Sequence, residues 1–349
     1  MVKDAVPLGE CGRALVVKLR HHGDVLLAAP VLSALKARGV EVDALVYDDT
    51  APMLEGHPSL SQIHVVGRRW KAQSRVARLS AETALFRRLR ARRYDLLVHL
   101  SEQPRGAWLA RTLGARYSVA PRMPDRGSFW ARSFTHLYPI APRRHQVELN
   151  LDALRRIGLQ PDLAVRSVTF VPGKDAERKI DPLVQGPFVH IHPASRWRFK
   201  CWPAEKNAEL IERLSGDGMR VVVTAAPDPE ERTFVNEILK RTKASVVNLA
   251  GQLSIKELGA LTARAKLFFG VDSMPMHLAG AMGTPTVALF GPSGELEWGP
   301  WNVSHRVIRS SHSCRPCGLD GCGGGKVSEC LTFLSVDAVH AAVRELLSK

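Results

Sequence analysis

RALVVKLRHHGDVLLAAPVLSALKARG, residues 13–39, reads as a strand, a polar turn and a helix in direct succession. Arg13–Leu19 is an apolar run of strand length, Arg20–Gly23 is a loop, and apolar residues recur at helical spacing from about Asp24 to Ala37. Gly39 stands where a helix C-terminus favours glycine. The same alternation continues downstream. Val42–Tyr47, Ile63–Val66 and Leu96–Leu100 read as strands, Thr50–Glu55 as a short helix and Ser80–Arg93 as a strongly basic one. Strands alternating with helices predict a parallel sheet covered on both faces.

Val171–Pro187 (VPGKDAERKIDPLVQGP) is rich in proline, glycine and charge and shows no helical stripe long enough to form core, so it is expected to connect two domains. Beyond it, Phe188–His192, Arg220–Thr224, Val246–Leu249, Leu267–Gly270 and Thr286–Phe290 read as strands. Ala204–Gly216, Glu230–Thr242, Ile255–Ala263 and Met276–Met282 read as the intervening helices, and Ser335–Leu347 as a closing amphipathic helix. The expected organisation is an α/β chain with a Rossmann-like domain over 1–170, a linker over 171–187, a second Rossmann-like domain over 188–334 and a C-terminal helix over 335–349. A cleft is expected between the domains. The length of 349 residues suits two such cores.

Hydrophobic residues at 45% and charged ones at 24% describe a globular chain and exclude a disordered one. Apolar runs such as Val25–Leu35 fall short of the roughly 20 residues a membrane span needs. Met1–Gly12 carries no apolar signal segment, so the expected location is the cytoplasm. The charge is uneven. Of 49 Lys and Arg, 27 fall in residues 1–170 against 15 acidic side chains, while residues 171–349 hold 22 against 19. Such a bias suggests that the first half meets an anionic partner: nucleic acid, an acidic membrane surface or a phosphorylated substrate. Against nucleic acid, there is no helix-turn-helix, zinc-finger or RNP-type signature, and aromatic residues are only 6%. No G-x-G-x-x-G or Walker A sequence occurs, which removes the usual support for dinucleotide oxidoreductases and P-loop enzymes.

Ligands of open α/β sheets sit at the carboxyl ends of strands, and three strand-to-helix junctions stand out. In the first, Lys18 to Asp24, Gly23 permits a tight turn and Asp24 opens a helix. Asp24 could be an ordinary N-cap or a general base facing a substrate hydroxyl, and Lys18 could hold an anionic group or be a solvated strand end. The second, His192 to Pro203, carries Arg196, Arg198 and Lys200 before a helix, a composition suited to pyrophosphate. A basic surface loop with Trp202 packed beneath it is the plainer alternative. The third runs from Gly270 to His277. The backbone amides around Ser273 and Met274 are expected to face the cleft, with Pro275 in the first helical turn and His277 in the core.

These junctions resemble the lipopolysaccharide heptosyltransferases of glycosyltransferase family 9. The resemblance rests on Lys18…Gly23-Asp24-Val25, on Lys200-x-Trp202-Pro203, and on Gly270-Val271-Asp272-Ser273…His277…Gly283-Thr284-Pro285-x-Val287-x-Leu289-Phe290-Gly291. The His21-His22 pair and the run Val46–Met53 look most like the branch that adds the third, side-branch heptose of the inner core. The resemblance implies a GT-B fold, two Rossmann-like domains facing a central cleft, with acceptor bound by the amino half and nucleotide sugar by the carboxyl half. It implies inverting, metal-independent transfer from ADP-heptose to a lipid A–core acceptor at the anionic cytoplasmic face of the inner membrane, with no nucleic acid involved. Asp24 falls on the catalytic-base position. Lys200 falls on the residue that neutralises the leaving pyrophosphate, with Ser195 also donor-binding and Asp272, Ser273 and Met274 on the phosphate-binding turn. Glu230 or Glu231 is implied to meet the ribose hydroxyls, and Leu253 to touch adenine through its main chain. Lys18, Arg68, Arg69 and Lys71 resemble the basic acceptor-binding patch. A first- or second-heptose transferase, another GT-B nucleotide-sugar transferase and an epimerase of the same shape are the alternatives.

Cys314, Cys317, Cys322 and Cys330 are spaced C-x2-C-x4-C-x7-C in a chain without an export signal, where structural disulfides are disfavoured. Four thiolates could hold zinc or supply a redox-sensitive pair, or the segment could be a reduced, packed loop.

Overall fold

The computed structural model describes residues 4–348, apart from the side chain of Lys71. The chain divides into two compact units, Met1–Thr169 and Phe170–Lys349. In the first, β1 (Arg13–Val17), β2 (Glu41–Tyr47), β3 (Leu60–Val66), β4 (Leu96–His99), β5 (Tyr117–Pro121) and β6 (His136–Tyr138) form one sheet. Its helices are α1 (His22–Leu26), α2 (Ala29–Lys36), α3 (Arg75–Ala91), α4 (Arg105–Thr112), α5 (Gly127–Ala131) and α6 (Gln146–Arg156). The second unit contains β7 (Phe188–His192), β8 (Arg220–Val223), β9 (Val246–Asn248), β10 (Leu267–Val271), β11 (Thr286–Phe290) and β12 (His305–Arg309). Around them lie α7 (Lys174–Ile180), α8 (Ala204–Gly216), α9 (Pro229–Leu239), α10 (Ile255–Arg264), α11 (Met274–Ala281), α12 (Glu295–Trp298), α13 (Glu329–Thr332) and α14 (Val336–Leu347).

All strand pairs are parallel, and the two sheets share one wiring. The order is β3-β2-β1-β4-β5-β6 in the first and β12-β11-β10-β7-β8-β9 in the second. Each therefore has a switch point, where the chain reverses its direction of travel across the sheet: between β1 and β4, and between β7 and β10. The ends of those strands are where a doubly wound sheet receives its ligand. Continuous apolar runs fill the centre, because strands covered on both faces have no solvent side. Leu15, Val17 and Leu97 are buried against Leu85 and Leu89 of α3 and Leu109 of α4. Val189, Val221, Phe269 and Val287 are buried with Ile211 of α8 and Val339 and Val343 of α14. Each fully buried Leu, Val or Phe contributes about 1.5–3 kcal/mol.

Two expectations change. The single helix expected from Asp24 to Ala37 is two helices, because Pro30 lacks an amide hydrogen and its ring excludes the carbonyl four residues back; α2 restarts with Pro30 in its first turn. The stretch expected as a linker carries α7, whose Ala176 and Ile180, one helical turn apart, are buried with Phe188, Val222 and Leu261. Gly39 ends the α2 segment with φ +79°, as the sequence predicts.

Gly106 fixes how α4 approaches β4. A Cβ at Gly106 would lie 2.3 Å from the His99 ring, which is buried in a cluster with the Trp130 and Phe134 rings. Gly106→Ala should therefore lower stability by about 1–3 kcal/mol, the range for overpacking a filled core. Thermal denaturation of the two proteins checks this.

Candidate active site

In the first unit a lysine bridges the switch point. Lys18 follows β1 directly and is 6% exposed. Its Nζ donates to the Leu100 carbonyl beyond β4 at 2.8 Å and to Asn150 Oδ1 of α6 at 3.0 Å. Leu19 N donates to Ser101 Oγ at 3.2 Å across the same gap. Burial pushes the Lys18 ammonium down to about 8, and the Asp24 carboxylate opposes that shift. A buried ammonium with two neutral acceptors retains one donor and most of its charge for a further partner. The solvated-strand-end alternative for Lys18 is overturned.

Asp24 is not the N-cap of α1. His21 holds that position, without a side-chain cap bond, and Asp24 is the third helical residue. It is half-buried. Its carboxylate takes part in no hydrogen bond or ion pair among the described residues, unlike the groups around it. His22 Nε2 donates to the Asp49 carbonyl at 2.9 Å. Arg68 pairs with Asp49 at 2.6 Å, donates to the Arg20 carbonyl at 3.2 Å and lies 4.1 Å over the Tyr47 ring. Arg20 pairs with Glu102 at 3.5 Å. Arg68 thus ties the Asp24 loop to the loop after β2. Arg69 is exposed, and the Lys71 side chain lies outside the described residues. A carboxylate left unengaged while its neighbours are tied down is able to accept a proton from a group brought to it.

The second switch point is also bridged by a lysine. Lys200 Nζ, from the loop after β7, lies 2.6 Å from Asp272 Oδ2 at the end of β10. Ser293 Oγ, beyond β11, donates to the same oxygen. The Asp272 carboxylate is thus consumed in holding Lys200. Ser273 is the N-cap residue and Met274 the first residue of α11, and no side chain caps the helix there. The uncapped first turn leaves the Met274 amide for an anion. Ser195 Oγ accepts from Trp197 N at 3.3 Å and shapes the Lys200 loop. Trp202 is buried beneath it at 1% exposure.

The two glutamates differ. Glu230 is exposed and lines a groove with Arg198, Thr233, Phe234 and Glu237. Glu231 is buried; its Oε2 accepts from Ala226 N at 2.9 Å and lies 3.8 Å from His192 Nε2. His192 Nδ1 meets Thr224 Oγ1 at 2.8 Å, and burial pushes the imidazole down to about 3, so it stays neutral. Burial raises the Glu231 carboxyl. The Leu253 main chain makes no hydrogen bond among the described residues, which leaves an N–H and a carbonyl for a flat heterocycle. His277 is buried in the core 6.2 Å from the Trp298 ring, as expected.

Cys314, Cys317 and Cys322 are exposed and Cys330 is buried, all as free thiols. Among the described residues no group of three or more His, Cys, Asp or Glu side chains is placed to hold a metal ion. Glu329 N donates to Cys322 Sγ at 3.4 Å, a bond that suits the packed-loop alternative.

Sequence reasoning missed Asn150, Ser101 and Ser293. Asn150 had a signal: it interrupts the apolar stripe Val147, Leu151, Leu154 of α6, where a polar residue needs a buried partner.

Two parallel sheets with one wiring, each with a switch point of the kind that receives ligands, define the doubly wound α/β class in duplicate. The family model "Glycosyltransferase family 9 (heptosyltransferase)" matches residues 82–327. The chain belongs to that family and is a glycosyltransferase. It is 37% identical over 292 residues to lipopolysaccharide heptosyltransferase 3 of Escherichia coli, covering 81% of this chain and 85% of that protein. Identity to lipopolysaccharide heptosyltransferase 1 of Pseudomonas aeruginosa is 28% over 314 residues, 87% of this chain and 86% of that one. The solved structure of E. coli ADP-heptose lps heptosyltransferase II superposes with a TM-score of 0.77, at 21% identity over 96% of this chain and 98% of that one. The fold is GT-B.

Proposed function

We propose that the protein transfers a heptose from ADP-heptose, with inversion, to the inner core of lipopolysaccharide, adding the third, branch heptose. The observation that carries the reading is the Asp24 carboxylate, free of protein bonds beside a buried lysine. Asp24 takes the proton of the acceptor hydroxyl as that oxygen bonds to the anomeric carbon. The bond from that carbon to the diphosphate breaks on the opposite face, and the charge passing to ADP is met by Lys200 and the Met274 amide. Ser273 supports the same phosphate, Glu230 or Glu231 takes the ribose hydroxyls, and Leu253 meets adenine. Lys18, Arg68, Arg69 and Lys71 offer positive charge to the phosphorylated acceptor. The greater identity to the third-heptose enzyme than to a first-heptose enzyme supports the branch assignment. The acceptor is lipid-linked, so the working place is the cytoplasmic face of the inner membrane; among the described residues no helix is long and apolar enough to cross a membrane.

The test is transfer to purified core acceptor lacking the branch heptose. ADP-heptose should be preferred over UDP- and GDP-sugars, and a core lacking the second heptose should not be glycosylated. The pH profile supplies an internal check. Lys18 is charged below about 8 and loses its proton above it, so kcat/KM should fall on the alkaline side of that value. In Lys18→Met that limb should disappear and the acceptor KM should be raised throughout.

A further inference from the structure

The basic excess of the first unit is concentrated, and it is accompanied by exposed apolar side chains. Between Arg68 and Arg93 the sequence holds ten Lys or Arg and one carboxylate, Glu82. Glu82 is already bidentate to Arg105 of α4 at 2.6 Å. Arg75, Arg78, Arg87, Arg88 and Arg90 are exposed and make no side-chain hydrogen bond or ion pair among the described residues.

α3 has two apolar stripes. Leu85 and Leu89 are buried in the core. Val76 and Leu79, three residues apart, are 80% and 68% exposed. Thr83 and Phe86 continue that second stripe at spacings of four and three. Thr83 and Phe86 line a groove with Trp108 of α4, itself 60% exposed. The Trp108 ring lies 5.0 Å from that of Phe129 on α5, which is 42% exposed and covered on one side by the Arg111 guanidinium at 4.8 Å. The result is a band of exposed and half-buried Val, Leu, Phe and Trp side chains over three neighbouring helices, with unpaired Arg87 and Arg90 at its edge on α3. A solvated surface gains nothing from exposing these side chains. Apolar anchors and cationic flanks together are the composition that seats a helix in the headgroup region of a bilayer.

We propose that the outer surface of α3, α4 and α5 docks on an anionic phospholipid bilayer, with Leu79, Trp108 and Phe129 entering the headgroup boundary and Arg87 and Arg90, which flank the exposed stripe of α3 at helical spacing, pairing with lipid phosphates. This rests on the reading that the acceptor is lipid-linked. The occupant is the bilayer surface itself, because exposed apolar side chains from three helices stand beside unpaired cations, a mixture that suits an anionic headgroup layer over an acyl boundary and not one bound phosphate.

The test uses the full chain and vesicles of phosphatidylcholine, alone or mixed with phosphatidylglycerol, in a flotation assay. The wild type should float with the mixed vesicles, remain free with phosphatidylcholine alone, and release as salt rises. The variant R87Q/R90Q should bind about thirtyfold more weakly, from two cations removed at the surface. Leu79→Ser combined with Trp108→Ser should weaken binding about tenfold or more. Both variants should glycosylate a water-soluble core oligosaccharide at the wild-type rate. Undiminished binding in both variants, or equal binding of the wild type to phosphatidylcholine alone, overturns the surface assignment even if transfer is intact. Wild-type binding without any heptose transfer overturns the enzymatic reading and leaves the docking surface standing.

Discussion

Asp24→Asn should lower kcat by about 10²–10⁴ while the protein stays folded and binds ADP as before. The change removes a negative charge and little volume. The carboxylate accepts no protein hydrogen bond, so no partner is orphaned, and stability should move by no more than about 0.5 kcal/mol. The donor-binding residues proposed above all belong to the second unit, whereas Asp24 belongs to the first. There is a second readout. Asp24 supports the charged form of Lys18 against burial, so its removal should shift the residual alkaline limb to lower pH. Unchanged turnover in Asp24→Asn would remove Asp24 from the chemistry; lost turnover together with lost ADP affinity would point to a general collapse of the fold.

Lys200→Met should cost about 10²–10³ in kcat and weaken ADP, the range for deleting one preorganised group that meets developing charge. It should also cost stability, because Asp272 is 6% exposed and Lys200 is its cation at 2.6 Å. Breaking a buried pair from one side leaves a charge without its partner, a loss of up to about 3 kcal/mol here, given that Lys200 is itself 22% exposed. The two effects separate in the double variant Lys200→Met, Asp272→Asn. Its melting temperature should return most of the way to that of the wild type, since Ser293 can still donate to the amide oxygen, while turnover stays low. A double variant that recovers activity would show that Lys200 acts only by holding the turn.

Most of the fold was legible in the sequence, for a physical reason. Strands buried on both faces are largely apolar runs, and the expected strands Phe188–His192 and Thr286–Phe290 match β7 and β11 end to end, as the expected helix Ala204–Gly216 matches α8. β5, β6 and β12 escaped notice because each spends much of its length on polar or proline residues, as in Tyr117–Pro121 and His305–Arg309. α7 escaped because a single pair, Ala176 and Ile180, is too little periodicity to stand out among charges. At the site, the sequence identified the residues that project from strand ends. It did not show what holds them. Asn150 reaches Lys18 from 132 positions away, and Ser293 reaches Asp272 from a different strand; such pairs exist only after the sheets assemble. Nor could spacing alone tell that Asp272 faces a lysine at close range.

The shared wiring of the sheets has a consequence for synthesis on the ribosome. The first strand of each unit becomes a central one, and its neighbours on the two sides are made at very different times. Ala14 pairs with Val42 early but must wait for Leu96 on its other side; His190 pairs with Val222 and must wait for Phe268. At about 5–20 residues per second, each nascent core strand presents a bare, strongly apolar edge for roughly 4–16 s, twice in every chain made. Nascent-chain aggregation and chaperone engagement should therefore peak in two windows of elongation, each closing when the fourth strand of its unit emerges.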